Sequence, residues 1–151
     1  MRIAVIADTH DRVPPAVLQA IAGAEEIWHL GDVVSPGILE RIREIGPPVH
    51  VVRGNCDSQS EWPLTLTFEL GELRFHLIHV PPRVPPPDID VLLHGHTHVP
   101  RNEAVDGVRF LNPGCITRPN RGAPASFAWL DIQGKGKWTW TPVPLAGLPE
   151  V

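Results

Sequence analysis

The sequence predicts an α/β fold that starts with a β-α-β-α-β unit and continues with mainly antiparallel strands. Short apolar segments alternate with helical patterns in the N-terminal part, and strand pairs around turn signals follow in the C-terminal part. No internal repeat and no shift in composition divides the 151 residues. We therefore expect residues 1–151 to form a single domain, at a size where folding buries roughly two-thirds of the unfolded surface.

The N-terminal unit is predicted from three apolar segments and the two helical patterns between them. The segments are short and rich in Ile, Val and Leu, as buried parallel strands are. Both helical patterns open with proline, and the second has Ser35 as a candidate N-cap and Gly46 as a stop signal. The predicted strands are residues 3–7, 27–30 and 49–52, and the predicted helices are residues 14–22 and 36–45. Right-handed crossovers would then give a parallel sheet.

The C-terminal part is predicted to form hairpins. Strands at residues 64–69 and 73–79 flank Gly71-Glu72, strands at 104–105 and 108–111 flank Asp106-Gly107, and strands at 126–132 and 137–142 flank Gly134 and Gly136. Trp129, Trp138 and Trp140 lie in the last pair, where we expect them to pack as half-buried sheet aromatics and not as a ligand cage.

Composition argues against several classes of protein. The 13 Lys and Arg residues and 17 Asp and Glu residues give a formal charge of −4, and the basic residues are scattered singly, unlike those of a nucleic-acid-binding surface. No apolar stretch has the length of a signal-peptide core or a membrane span. Cys56 and Cys115 are too few for a disulfide framework, so we expect a cytoplasmic protein.

Polar residues follow each of the three predicted parallel strands at its carboxyl end. They form the motifs Asp8-x-His10, Gly31-Asp32 and Gly54-Asn55. Because α/β sheets bind ligands at the carboxyl ends of parallel strands, we expect these side chains to face one crevice. On nearly extended backbone Asp8 and His10 would point to the same side, so that both could hold one metal ion.

Histidines in the second half extend this pattern. His96 and His98 form another pair two residues apart, which Gly95 introduces, and His79 ends a predicted strand in a similar position. The set of carboxylate, imidazole and amide groups without thiolate suits Mn, Fe, Co, Ni or Zn. It argues against a closed structural zinc site.

With these motifs in this order, the sequence resembles the calcineurin-like metallophosphoesterase superfamily. The signature of that superfamily is Asp-x-His, Gly-Asp, Gly-Asn-x-Asp/Glu, His and Gly-His-x-His. The chain looks most similar to the small prokaryotic phosphodiesterase branch, which shares Gly-Asn-Cys-Asp, here residues 54–57, and Asn-Pro-Gly, here residues 112–114. The resemblance covers nearly the whole chain and implies a metallophosphoesterase-type β-sandwich flanked by helices.

The resemblance also implies two divalent metal ions and hydrolysis of a small phosphodiester by a metal-bridging hydroxide. The residues expected at the first ion are Asp8, His10 and His98, and those at the second are Asn55, His79 and His96. Asp32 would bridge the ions, since a carboxylate has two oxygens for two metals. Asp32, Asn55 and His79 would act in catalysis through the metals. Manganese is the favoured ion, with Ni, Fe, Co and Zn as alternatives.

The sequence departs from the family at three places. Cys56 stands where many members have histidine, and a thiol is a weak donor, so we expect at most a minor catalytic role for it. Only 16 residues separate His79 from His96, and residues 81–87 contain five prolines, so a helix usual there should be reduced or absent. Cys115 occupies the position of a small hydroxyl residue after Asn-Pro-Gly.

The remaining polar residues have structural or solvent-exposed interpretations. Four histidines outside the motifs are expected to pack or lie on the surface, namely His29, His50, His76 and His94. His94 is also a candidate donor to a ligand, since it directly precedes Gly95. Arg118 and Arg121 are candidate phosphate clamps or solvated side chains, and Asp57 is an N-cap or an orienting group.

Two alternative functions remain open at this stage. A retromer subunit resembles this family and works through its surface, so a non-catalytic interaction scaffold is one alternative. Hydrolysis of phosphomonoesters or pyrophosphates is the other. The sequence has a competent residue at every ligand position, which favours an enzyme, and it leaves the formation of a homo-oligomer open.

Overall fold

The three apolar segments of the N-terminal part form neighbouring parallel strands, as predicted. The computed structural model describes residues 1–151. These strands are β1 (Arg2–Ile6), β2 (Glu26–His29) and β3 (Val49–Val51), with β2 between the other two. Their residues are largely buried, as a sheet covered on both faces requires.

Two helices connect these strands and cover one face of their sheet. Helix α1 spans Pro15–Ile21 and α2 spans Pro36–Arg43, so each ends before its predicted limit. Proline lies in the first turn of both, where its missing N–H removes no helical hydrogen bond. Ser35 occupies the N-cap position of α2, but its side chain makes no capping hydrogen bond.

Five further strands form a second sheet. They are β4 (Thr65–Leu70), β5 (Leu73–Ile78), β6 (Val91–Leu93), β7 (Arg101–Val105) and β8 (Val108–Asn112), in the order β4-β5-β6-β8-β7. The pairs β4–β5 and β7–β8 are antiparallel, as predicted. The sequence did not predict β6, which pairs in parallel with β5 and β8, because three apolar residues give no readable period.

The predicted hairpin turns are present. Gly71 and Glu72 both have positive φ, as do Asp106 and Gly107. Two successive residues of this kind match the right-handed twist of the strands that they join. The turn chemistry therefore sets the register of both hairpins.

The last two strands return to the first sheet. Strand β9 (Ser126–Gly134) pairs antiparallel with β1, and β10 (Lys137–Pro144) pairs with β9 at the edge. Trp129, Trp138 and Trp140 are partly buried there and pack beside the hydrophobic core, which confirms their prediction as sheet aromatics. A short 3-10 helix, Leu145–Gly147, follows.

Two apolar layers hold these elements together. One lies between the sheets, where side chains such as Val5 and Trp28 meet Phe75 and Leu77. The other lies between the first sheet and the helices. The fold is thus an α/β sandwich of two mixed sheets flanked by helices, which confirms the predicted fold class.

The proline-rich segment lies between β5 and β6. It forms neither helix nor strand from His79 to Asp90, as the run of prolines predicted. Neither of the two α-helices has the length and apolar character needed to cross a membrane.

Candidate metal centre

Five strand ends bring the predicted ligands to one crevice. The loops after β1, β2 and β3 carry Asp8 and His10, Asp32, and Asn55, respectively. His79 directly follows β5, and the loop after β6 carries His96 and His98. The strands within each sheet are parallel to one another here, so their carboxyl ends lie at a shared edge, as expected for an α/β site.

The first group of side chains consists of Asp8, His10, Asp32 and His98. One ligand atom of each lies within 4.8 Å of the others. His10 Nε2 is 3.7 Å from Asp8 Oδ1 and 3.6 Å from Asp32 Oδ2, and His98 Nε2 is 3.5 Å from Asp8 Oδ1. The ring nitrogens of His10 and His98 are 3.2 Å apart. Two carboxylates and two imidazoles therefore aim at one small volume.

The second group shares Asp32 with the first. It contains Asp32, His79 and His96, again with ligand atoms within 4.8 Å of one another. His79 Nε2 lies 3.1 Å from Asp32 Oδ2, and Asn55 Oδ1 lies 3.0 Å from His96 Nδ1. All seven predicted ligands thus lie together in two groups that Asp32 joins.

The two carboxylate oxygens of Asp32 have different neighbours. In the structure Oδ1 accepts a hydrogen bond of 2.9 Å from the Cys56 N–H, and Oδ2 is the oxygen near both His10 and His79. Oδ2 is therefore the Asp32 oxygen that lies between the two groups, while Oδ1 keeps a second lone pair.

Two atoms at the centre of the crevice indicate that a cation fits there. Asp8 Oδ1 and His79 Nε2 are buried side-chain atoms without a hydrogen-bond partner. Such atoms are costly, by about 1–3 kcal/mol for a neutral group and more for a charged one. Both point at the shared volume, and a divalent ion would satisfy them with ligands of the kind that it prefers.

Hydrogen bonds to the backbone orient two of the imidazoles. His79 Nδ1–H donates to the Leu30 carbonyl at 2.7 Å, and His98 Nδ1–H donates to the Arg118 carbonyl at 2.7 Å. Each bond leaves the Nε2 lone pair free to face the carboxylates. This is the arrangement by which proteins fix the tautomer of a metal-binding histidine.

The charge on Asp32 is stabilised locally. Burial would raise the pKa of this carboxyl, but in the metal-free chain the protonated His79 ring and the Cys56 N–H outweigh that effect and lower the pKa to about 2. Asp32 is therefore ionised at neutral pH, as a metal ligand must be.

The backbone at the site is left-handed at most ligand positions, which corrects one premise of the sequence interpretation. Asp8 and His10 were expected on nearly extended backbone, but their φ angles are 55° and 44°. Asp32, His96 and His98 also have φ between 59° and 73°. Such a conformation costs roughly 1–3 kcal/mol at a residue other than glycine, so the surrounding structure must stabilise it.

Asp57 provides part of that stabilisation. Its carboxylate accepts three backbone N–H groups, from Asp32 at 2.8 Å and from Val34 and Gly54 at 2.7 Å. It therefore joins the loop after β2 to the loop after β3 and acts as an orienting group. The alternative prediction, that Asp57 caps a helix, is wrong.

His29 is a second connection that the sequence interpretation missed. Its side chain is fully buried. The Gly31 N–H donates to His29 Nδ1 at 3.0 Å, so Nε2 carries the proton and donates to Thr9 Oγ1 at 3.0 Å. Thr9 separates Asp8 from His10, and Gly31 precedes Asp32, so one neutral imidazole fixes both loops.

Two glycines allow the loops to approach one another. A Cβ at Gly54 would overlap Asp32 Oδ1, and a Cβ at Gly95 would lie 2.9 Å from Asp8 Oδ2. Both contacts are closer than packed atoms tolerate. The Gly-Asn and Gly-His motifs therefore owe their glycines to the carboxylates of the neighbouring loops.

The Asn-Pro-Gly segment supports the histidine loop. Asn112 Nδ2 donates to the Gly95 carbonyl at 3.3 Å and to Thr97 Oγ1 at 3.0 Å. Cys115 is buried, and its thiol donates to the Asp8 carbonyl at 3.2 Å. Burial raises the pKa of this thiol, so it stays protonated and serves as a donor.

The other predicted candidates lie around the crevice or away from it. His94 is buried, donates through Nδ1 to the Gly95 carbonyl and accepts from Arg101, so both of its ring nitrogens bond to groups outside the ligand set. Burial lowers the pKa of His94 to about 4. His50 and His76 contact Glu26 and Thr67, away from the crevice.

The two candidate phosphate clamps are exposed at the rim. Arg118 contributes its carbonyl to His98, and its side chain is solvent-exposed. Arg121 lines a polar cavity that also includes His96 and Asn120. Arginine contact with phosphate thus stays a prediction.

Comparison with known proteins agrees with this geometry. The profile of the calcineurin-like phosphoesterase superfamily domain matches residues 1–135. A probable metallophosphoesterase of Methanothermobacter thermautotrophicus is 38% identical, over 89% of this chain and 88% of the relative. Vacuolar protein sorting-associated protein 29 of Schizosaccharomyces pombe is 31% identical, over 89% and 86%.

A bacterial relative is similar in both sequence and structure. Phosphodiesterase YfcE of Escherichia coli is 32% identical, over 87% of this chain and 88% of the relative. The solved structure of this E. coli phosphoesterase superposes with a TM-score of 0.74, covering 96% of this chain and all of that one. The alignment from the structures has 28% identity.

The buried state of His29 predicts a pH-dependent stability. Burial, outweighing the nearby Asp57, lowers its pKa from 6.5 to about 4, so the unfolded chain binds the proton more readily between these values. The contribution of His29 to the free energy of unfolding is therefore complete above about pH 6.5. It decreases by up to about 3 kcal/mol as the pH falls to about 4.

Denaturant unfolding of the metal-free protein at several pH values measures this effect. His29→Gln should reduce the loss of unfolding free energy between about pH 6.5 and pH 4. His50→Gln, a matched change at a partly exposed position, should leave it as in the wild type. If the unfolding free energies of the wild type and His29→Gln depended equally on pH, His29 would not be the source of the pH dependence.

Proposed function

The chain belongs to the calcineurin-like phosphoesterase superfamily, and we propose that it hydrolyses small phosphodiesters with two divalent metal ions. We assign Asp8, His10 and His98 to one ion and Asn55, His79 and His96 to the other, with Asp32 between them. Manganese is the metal that we favour. The observation that carries the proposal is the pair of ligand groups that meet at Asp32 in one crevice.

The charge of the site favours an anionic substrate. Asp8 and Asp32 bring two negative charges, while Asn55 and neutral histidines bring none, so two divalent ions would leave a net charge of +2. Bound there, the ions would lower the pKa of a water molecule and stabilise charge that develops on the phosphoryl oxygens. Asn55 and His96 are exposed, so a phosphate would reach the site from their side.

The similarity to the sorting-associated protein of Schizosaccharomyces pombe is the observation that favours the scaffold alternative. Against it, all seven ligand positions hold a residue that can bind a metal. The buried Asp8 Oδ1 and His79 Nε2, which have no hydrogen-bond partner, also favour a metal site.

Metal reconstitution tests the proposal directly. The protein is stripped of metal, Mn, Ni, Co or Zn is restored separately, and bis(4-nitrophenyl) phosphate is compared with 4-nitrophenyl phosphate. We expect turnover of the diester only with metal, since nucleophile and charge stabilisation both depend on it. No turnover with any metal between about pH 6 and pH 9 would favour the scaffold, and preference for the monoester would favour a phosphomonoesterase.

Asp32→Asn tests the shared ligand. The change should abolish activity and lower the metal content from about two ions per chain to about one or fewer, because both groups lose a charged ligand. Metal content is measured by elemental analysis of desalted protein. Asp88→Asn is the matched control, since exposed Asp88 has a similar backbone φ of 61° against 59° for Asp32. Two ions and a normal rate in Asp32→Asn would show that the bridge is assigned wrongly.

Cys56 should make the enzyme dependent on good leaving groups. A thiol has an ordinary pKa of about 8.5 and is only a weak hydrogen-bond donor, which makes it a poor acid for a departing alkoxide. A positioned general acid typically contributes about 10²–10⁴-fold, most for poor leaving groups. Cys56→His should therefore flatten the plot of log kcat against leaving-group pKa.

Two controls accompany that measurement. Metal content must equal that of the wild type, and Cys56→Ser, which removes the thiol without adding an imidazole, should keep the steep slope. An unchanged slope in fully metallated Cys56→His would mean that position 56 takes no part in leaving-group departure.

A further inference from the structure

A cavity of about 350 Å³ adjoins the candidate metal centre. We call it the apolar pocket because most of its wall surface is apolar; its lining includes Asn55, Leu64, Thr65, Ile78, His79 and Val80, and also Arg53. These residues come from the loop after β3, the start of β4 and the end of β5, at the same edge of the sandwich as the metal ligands. Asn55 and His79 belong to both the pocket and the second ligand group, so the two are continuous.

The walls of the pocket are predominantly apolar. Leu64, Ile78 and Val80 supply aliphatic side chains, and Leu64 and Val80 keep 59% and 47% of their surface exposed. Apolar side chains gain about 25 cal/mol for each Å² removed from water. An apolar group that entered the pocket would cover them and would be favoured on that account.

Another cavity beside the site has a different character. This second cavity is lined by His96, Thr97, Val99, Asn120 and Arg121, with one apolar side chain among the five. A phosphoryl group at the metal centre would therefore have an apolar surface on the Asn55 and His79 side and a polar one on the His96 side. The two substituents of a diester would meet unequal surroundings.

We infer that the apolar pocket binds one alcohol group of the substrate, and that this alcohol is an alkyl or aromatic one. This inference rests on the proposed function, because it assumes that the metal centre holds the phosphoryl group. The pocket volume is near the lower end of the range for small-molecule sites, about 300–1,000 Å³, and suits a short alkyl chain or a single ring.

Binding of alkylphosphonates tests the inference without turnover. Methyl-, propyl-, pentyl- and phenylphosphonate have a phosphonate head for the metals and a carbon–phosphorus bond that the enzyme does not hydrolyse. Calorimetric titration of the manganese-loaded protein gives Kd for each. We expect Kd to fall about twofold to fourfold for each added methylene, the upper value corresponding to full burial.

Variants locate the site of the alkyl chain. Leu64→Ser and Val80→Ser should each reduce the gain in affinity per methylene, and both positions are exposed enough for the fold to tolerate the change. Val84→Ser is the matched control, because Val84 is 68% exposed and lies outside the pocket lining. With Val84→Ser, the decrease in Kd for each added methylene should equal that of the wild type.

The outcomes distinguish this inference from the proposed function. Loss of diester hydrolysis with every metal would overturn the proposed function, while a Kd that falls with chain length and depends on Leu64 and Val80 would still support the pocket. A Kd that is independent of chain length, or a dependence that survives both pocket variants, would overturn the inference even if diesters are hydrolysed.

Discussion

The structure concentrates buried negative charge in one crevice, and most of its local features follow from that constraint. Asp8 and Asp32 are at most 2% exposed, and their ion-pair partners are imidazoles only. A buried charge is stabilised only by hydrogen bonds, by an opposite charge or by a metal ion. Here backbone donors supply part of the compensation, from Cys56 to Asp32 and from His96 to Asp8. Asp8 Oδ1 and His79 Nε2, which have no hydrogen-bond partner, mark the part that the protein itself does not supply.

The loops hold their costly conformations because residues outside the ligand set join them. Asp57 connects the loops after β2 and β3, and His29 connects those after β1 and β2. Backbone bonds reinforce the second connection, from the Asp8 and His10 N–H groups to the Gly31 and Asp32 carbonyls at 3.0 Å and 2.9 Å. The loops rest on strands whose side chains fill the layer between the sheets. The ligand positions are therefore determined by the packed sandwich, and metal binding need not order them.

The sequence signals for the candidate site are local, and the side chains that they indicate lie together in the structure. Short polar motifs that follow apolar strands predicted which side chains share an edge, and the turn pairs Gly71-Glu72 and Asp106-Gly107 predicted two hairpins. Left-handed backbone at Asp8 and His10 could not be predicted, since residues other than glycine seldom adopt it and tertiary contacts decide where they do. The role of His29 was hidden for a similar reason: its partners, Thr9 and Gly31, lie in different loops. The one local indication of this role is that His29 lies just before the Gly31-Asp32 motif.

The proline-rich segment, residues 81–87, differs from the helix usual in the family and affects the shape of the site. His79 ends its strand as a candidate ligand, and the chain then continues to Asp90 without helix or strand. Prolines fix φ and lack N–H groups, so this segment cannot fold into a helix over the neighbouring surface. Val80 and Leu64 consequently stay half-exposed beside Asn55 and His79. The ligands themselves are held by strand ends and loops that this segment does not form. In the function that we propose, chemistry and substrate preference would therefore depend on different parts of the chain. The parallel strand ends position the proposed metal ligands, and the irregular segment leaves an apolar surface next to them.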